Sequence, residues 1–438
     1  ERQTDGVKLL YHDVETNGIG YVTALFDLSE IEEELLPYAG ILQSVLGIID
    51  TEHYGYGELF NEINVHTGGI GTSLELYTDV TKVKEKEFRA TFEIKGKALY
   101  PKLDVLFAMM REILMESKLG DEKRLKEILS MLKTRLQTSF LSAGHTTAVL
   151  RSLSYTSPIA RFRDITSGIG FYEVVKDLEE NFEERKELLI ENLKKIAGRI
   201  FRKENLMLSY TSAQEGLAVL EKAVPQFADS LHTGEKESHG QCIIHCKKRN
   251  EGFRTSSKVQ YVARTGNFID GGAEYTGALQ ILKVILSYDY LWQNVRVKGG
   301  AYGCMSGFNR IGEGYLVSYR DPNLEKTMEI YEGVVDYLKN FDIDDRDMNK
   351  FIIGTISNLD RPMNPAAKGS RSLNLYMNRI TEEMIRRERE QILDAQQEDI
   401  RGLATVLEAV LAAGELCVIG SEEKIEEAKE MFGEIRTL

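Results

Sequence analysis

Tyr38-Ala-Gly-Ile-Leu-Gln43 and Tyr275-Thr-Gly-Ala-Leu-Gln280 are one phrase written twice, 237 residues apart. Both continue as helices with a single apolar stripe at i, i+4, i+7 and i+8. The stripe is Ile41, Val45, Ile48 and Ile49 in the first copy and Ala278, Leu282, Ile285 and Leu286 in the second. A glycine pair then leads into a strand-like segment each time: Gly68-Gly69 inside INVHTGGIGTSLELY, Gly299-Gly300 inside VRVKGGAYGCMSGF. A third correspondence joins ENLMLSYTSAQEGLAVLEKAV, from Glu204, to GELCVIGSEEKIEEAKEMF, from Gly414. Each reads as a short apolar strand, a serine-containing turn suited to capping, and a charged amphipathic helix. The spacing falls from 237 to 231 to 210, so the sequence describes one architecture used twice, with insertions.

Between the copies, PQFADSLHTGEKESHGQ, from Pro225, is rich in turn formers and poor in large apolar residues, which predicts a linker and a division into 1–235 and 236–438. Strand-like stretches open each copy (GYVTALFDL from Gly20, KVQYVARTGNF from Lys258), and long helical stretches such as PKLDVLFAMMREILMES, from Pro101, follow. That segregation predicts an α+β class: two related domains, each a mainly antiparallel sheet packed with helices.

The 438 residues carry 69 acidic and 55 basic side chains, a net charge of −14 that argues against nucleic acid or an anionic membrane as partner. Only 7 prolines occur, where ordinary usage of ~5% would give about 22, and the deficit favours long helices. The best apolar run, AVLAAGELCVIG, contains Glu415 and is shorter than the roughly 20 residues a membrane span needs. Four cysteines are too few for a disulfide scaffold and, with no leader visible, point to a cytoplasmic setting. The chain opens at Glu1 without a methionine, which reads as a piece of something larger.

Glycine clusters invite a phosphate-cradle reading, but such a site needs strand, glycine loop, helix in that order. Here the order is helix, glycines, strand. No two of the seven histidines have the i, i+4 spacing of a zinc-peptidase helix, and His66, in the first glycine loop, has no second ligand near it in sequence. The one local cluster, Cys242, His245 and Cys246, lacks a fourth ligand; it reads as a β-strand with small buried thiols, or else as an unrecognised metal site.

The run DYLWQNVRVKGGAYG (Asp289–Gly303) followed by SYRDPNLEKTMEIY resembles the C-terminal half of pitrilysin/insulinase-type zinc metallopeptidases, in the presequence-protease branch. LLYHDVETNGIGYVTALFDLSEI and NEINVHTGGIGTS resemble the third domain of those enzymes, so the likeness spans nearly the whole chain. The resemblance implies that residues 1–235 and 236–438 are the third and fourth of four related domains, closing against an N-terminal half around a chamber for unstructured peptides. It implies zinc in that other half and none held by this chain, which alone would be inactive. It also implies that Arg296 and Tyr302 are catalytic, reaching the oxygen that gains charge when a peptide carbonyl is attacked, with Gly299, Gly300 and Ala301 against the substrate. Without the resemblance, Arg296 is equally a cation at a helix end and Tyr302 a half-buried aromatic. Arg320 and Asp321 of the signature read as an ion pair or a turn. The alternative to a peptidase half is a catalytically silent partner subunit or peptide-binding protein.

Overall fold

The computed structural model describes residues 1–233 and 242–438. Twelve strands form two six-stranded sheets. The first contains β1 (Arg2–Thr4), β2 (Val7–Asp13), β3 (Ile19–Asp27), β4 (Ile70–Tyr77), β5 (Arg89–Leu99) and β6 (Leu206–Ser212) in the order β1-β2-β6-β3-β5-β4. The second contains β7 (Glu251–Thr255), β8 (Tyr261–Asn267), β9 (Gly303–Phe308), β10 (Glu313–Tyr319), β11 (Glu415–Ser421) and β12 (Glu434–Thr437) in the order β12-β7-β11-β8-β10-β9. Five positions match strand for strand. The sixth differs: β1 arrives antiparallel from the N-terminus, while β12 arrives parallel from the C-terminus. Most pairings are antiparallel, with parallel joints at β2–β6, β7–β11 and β7–β12, so the class is α+β with mixed sheets.

Helices cover one face of each sheet and make the two main cores. In the first, Phe201 meets Phe26 and Phe92 edge-on at 5.3 and 5.2 Å, the favoured geometry for buried rings. The glycine of the repeated phrase has the same task in both copies. A Cβ on Gly40 would lie 2.5 Å from the Thr166 carbonyl oxygen, and one on Gly277 would lie 2.4 Å from that of Glu388. Each glycine admits a neighbouring helix at backbone contact.

The opposite faces are covered reciprocally. Helix Gly144–Leu153, from the first half of the chain, lies on β8, β10 and β11. Helix Pro365–Met377, from the second half, lies on β6 and β2. Arg151, on the first of these helices, sends Nε and Nη2 to the Glu251 carboxylate at 2.6 and 2.9 Å and Nη1 to Asp164 at 2.6 Å. All three side chains are buried.

Several sequence expectations need correction. The first repeat helix ends at Val45, and Ile48 of its expected stripe is exposed beyond it. Pro225–Asp229 of the expected linker belongs to helix Gln214–Asp229, because Phe227 and Ala228 are core residues; the division near 235 lies outside the described residues. Of the serines expected to cap, Ser421 stands at the N-cap of the helix after β11 but makes no side-chain capping bond, Ala213 takes that position after β6, and the second helix runs only from Glu422 to Glu427. Residues 242–250 form no strand: Cys242 donates its amide to the Ser29 carbonyl, and Cys242 and Ile244 pack on the first core without a ladder partner.

Candidate active site at the free edge of the second sheet

After helix Ala278–Tyr288 the chain widens into a π-helical turn, Trp292–Lys298. Such turns are rare and concentrate at functional positions. This one sets the Arg296 guanidinium over the Trp292 ring at 4.0 Å from its centroid and 5.9 Å from that of Tyr302. Arg296 is half-buried, while Tyr302 is 68% exposed.

The two glycines between them divide the work. A Cβ at Gly299 would sit 2.5 Å from the Val295 carbonyl oxygen, and Gly300 takes φ +83°, a conformation that costs other residues roughly 1 kcal/mol or more. Asn323 Nδ2 donates to the Gly299 carbonyl at 2.6 Å and holds the turn from outside. Ala301 is buried, with its amide bonded to the Val295 carbonyl. Of the five expected site residues, then, Arg296 and Tyr302 are presented side by side, Gly299 and Gly300 shape the turn that presents them, and Ala301 seats it.

The Tyr302 amide donates to the carbonyls of Tyr319 and Arg320 at 3.1 and 3.3 Å, and its ring meets Tyr319 edge-on at 5.9 Å. Tyr319 in turn packs on His145 at 4.9 Å and Tyr261 at 5.6 Å. His145 stands at the start of the cover helix, so the first half of the chain braces a site on the second. Burial lowers the His145 pKa, favouring the neutral imidazole among these rings. Immediately after Tyr302 comes β9, the end strand of its sheet, whose sequence GCMSGF has neither the charge nor the proline that commonly blunts free edges. The opposite end strand, β12, reads EIRT.

The pattern of residues alone left Trp292, Tyr319 and Asn323 without a role. Trp292, the chain's single tryptophan, was the available signal, because it lies inside the long signature run. Of the two roles expected for Arg320 and Asp321, an ion pair or a turn, the ion pair does not form. Asp321 turns inward, accepting from Thr327 Oγ1 at 2.6 Å and the Asn323 amide at 2.9 Å, while Arg320 is exposed. Burial raises the Asp321 pKa despite those bonds.

Elsewhere the metal-ligand residues stay scattered. His245 is exposed, and its Nδ1 lies 2.9 Å from Glu33; Cys242 is pushed up to about 11 by burial, aided by Glu33. His66 lies 3.5 Å from Glu62. Among the described residues, no group of three or more His, Cys, Asp or Glu is placed to hold a metal ion, and no helix is long and apolar enough to cross a membrane.

Comparison with known proteins adds two family models. Residues 1–178 match the domain associated with peptidases of family M16, subfamily C, and residues 250–422 match the "PreP C-terminal domain". The chain is 37% identical over 440 residues to the HypA protein of Clostridium perfringens, covering all of this chain and 44% of that one. To presequence protease 1, chloroplastic/mitochondrial, of Arabidopsis thaliana it is 30% identical over 426 residues, covering 97% of this chain and 39% of that one. The chain thus spans under half the length of these relatives. A solved peptidase M16 inactive domain from Pseudomonas fluorescens shares the fold with TM-score 0.61 at 12% identity, covering 96% of this chain and 97% of that one.

Proposed function

Because the chain belongs to the M16, pitrilysin-type family of peptidases and carries the C-terminal domains of its presequence-protease-like branch, we propose that it is the substrate-gripping half of a zinc-dependent metalloendopeptidase acting on unstructured peptides. On this reading the zinc and its ligands belong to an N-terminal half of the same protein, and this chain alone is inactive. The metal would supply the hydrolytic chemistry there; the residues here bind and orient the peptide.

One observation carries the reading: Arg296 and Tyr302 are held together, one half-buried and one open to solvent, beside a strand edge that no other strand covers among the described residues. A carbonyl becoming tetrahedral gains negative charge on its oxygen. A phenol hydroxyl and a guanidinium are suitable donors to that oxygen and to the neighbouring peptide backbone. Trp292 backs the guanidinium and Tyr319 meets the phenol ring edge-on, so part of the side-chain freedom that binding would cost is already lost. Gly299 and Gly300 keep the backbone beside them free of side chains. The four thiols, all unpaired, support the cytoplasmic setting that is part of the same proposal.

The second reading, a separate subunit without its own metal, has a specific observation behind it: the fold occurs in a solved M16 inactive domain of matching length. Both readings are tested by combining this chain with the zinc-bearing half, carried by the same protein on the first reading and by a separate partner subunit on the second. Restored cleavage of an unstructured peptide, abolished by Arg296→Ala, is the expected result. Full restoration by the Arg296→Ala chain would remove the site from the reaction.

A further inference from the structure

Arg320 takes φ +48°, a left-handed conformation that a glycine would adopt more cheaply. Strain of this kind persists where the surroundings over-determine it, and it clusters at functional positions. Here the surroundings are explicit. Asp321 anchors the chain inward through Thr327 and Asn323, and the Gln260 amide donates to the Asp321 carbonyl at 2.7 Å. The effect is to send the Arg320 guanidinium outward, over the Tyr319 ring that Tyr302 meets edge-on.

The groups acting on that guanidinium are tyrosines. The Tyr261 hydroxyl lies within hydrogen-bond reach of it and raises its pKa. Its carbon lies 5.5 Å from the Tyr319 ring centroid. Tyr261 is itself fixed, donating its hydroxyl to the Leu141 carbonyl at 2.5 Å. Among the described residues neither Arg296 nor Arg320 is ion-paired with a carboxylate, and Lys298 stands nearby on the same π turn. A chain with net charge −14 thus presents two aromatic-backed guanidiniums on the joined rings of exposed Tyr302 and its neighbour Tyr319. A planar, pre-positioned fork of N–H donors matches a carboxylate.

We propose that Arg320 is a specificity-determining residue: it receives a carboxylate of the peptide gripped by Arg296 and Tyr302, and disfavours lysine or arginine at that position. The inference rests on the peptidase reading above. The carboxylate could be an acidic side chain or the free C-terminus of a short peptide, and the two are separated by experiment.

Matched quenched-fluorescence peptides that differ at single positions by Gln, Glu or Lys, each with free or amidated C-terminus, are cleaved by the full-length protein. Cleavage of the Gln peptides tests the peptidase reading; the ratio of kcat/KM between Glu and Gln peptides tests this inference. That ratio is expected to reach on the order of tenfold at its best position, to shrink with added salt, and to fall near one in Arg320→Gly, which keeps the left-handed turn. A preference seen only with free C-termini assigns the terminal carboxylate; one surviving amidation assigns the side chain. No preference for either carboxylate in the wild type, or an undiminished preference in Arg320→Gly, overturns the proposal.

Discussion

The two sheets share a topology, yet their cover helices hold them in opposite ways. Under helix Gly144–Leu153 the second sheet is mainly apolar: Phe253, Tyr261, Ala263, Val317, Cys417 and Ile419 pack with Phe140, Ala148, Tyr155 and Tyr172 from the first half of the chain. Sealed inside it are Arg151 with Glu251 and Asp164, and the buried Glu415 carboxyl, which accepts from Thr156 and Thr265 at 2.6 and 3.1 Å. Under helix Pro365–Met377 the first sheet is mostly polar, with His12, Ser209, Thr211 and Glu93 on the covered side. Only Leu10, Leu25, Tyr77, Met207 and Leu373 form a buried apolar cluster there, and a cavity of about 240 Å³ remains beside Lys95, Thr211 and Gly369. The candidate site grows from the more apolar, more tightly packed sheet. Positioning two donors to within a fraction of an ångström requires supports that do not move, and the Tyr319–His145 contact joins that support to the site.

Breaking the seal is expected to have the largest effect. Arg151→Met leaves the buried Glu251 with only the longer contacts of Arg249 and Arg436 at 3.7 Å, and Asp164 with Arg161 at 3.2 Å. Losing one partner of a buried pair costs about 3–5 kcal/mol, and those remaining cations put the expected loss at the lower end. Chemical unfolding should show the loss; an unchanged midpoint would mean that the triad does not clamp the two halves. Burial alone would raise the Glu251 pKa, but the bonds and charge of Arg151 outweigh it and hold it below its ordinary value. This contribution is therefore present above the unfolded carboxylate range and lost as pH falls through the folded value.

An intermediate effect belongs to the polar sheet. His12 bonds Ser209 at 3.0 Å, and burial pushes its pKa down to about 4 from 6.5. The unfolded chain thus binds the proton first, so stability is full above pH 6.5 and declines as pH falls towards 4. By about pH 5 the loss is on the order of 2 kcal/mol. His12→Asn should flatten the stability profile across that window, and hydrogen exchange should show β2 and β6 opening before the second sheet does.

The smallest effect separates the two cover helices directly. A Cβ at Gly144 would meet the buried Tyr261 ring at 2.3 Å, and one at Gly369 would meet Thr211 Oγ1 at 1.8 Å. Overpacking costs about 1–3 kcal/mol. Tyr261 is tied at its hydroxyl, whereas Thr211 borders the cavity and can turn away. Gly144→Ala should therefore destabilise more than Gly369→Ala, by roughly 1 kcal/mol within that range; equal losses would erase the proposed difference in rigidity.

Much of this was readable in advance because it is local. The twice-written phrase marks equivalent helices, and its glycine proves to be a backbone contact in both. The glycine pair before β9 marks a turn whose two members need different freedoms. The crossing of the cover helices was not readable, since GHTTAVLRSL at Gly144–Leu153 has an ordinary amphipathic pattern and nothing in it names the sheet it will cover. Arg151 looks like a solvent-facing cation until Glu251, 100 residues later, arrives beside it. The π turn and the outward swing of Arg320 are likewise products of packing rather than of propensity.

The most direct test of the account is the rate of peptide cleavage by the full-length protein carrying Tyr302→Phe, with Tyr319→Phe as a companion variant. Removing one well-placed donor to a developing oxyanion lowers kcat by about 10²–10³-fold. The account expects that loss for Tyr302→Phe, with KM little altered, and a smaller loss for Tyr319→Phe, which supports the ring without meeting the peptide. Undiminished turnover by the Tyr302→Phe enzyme would contradict it.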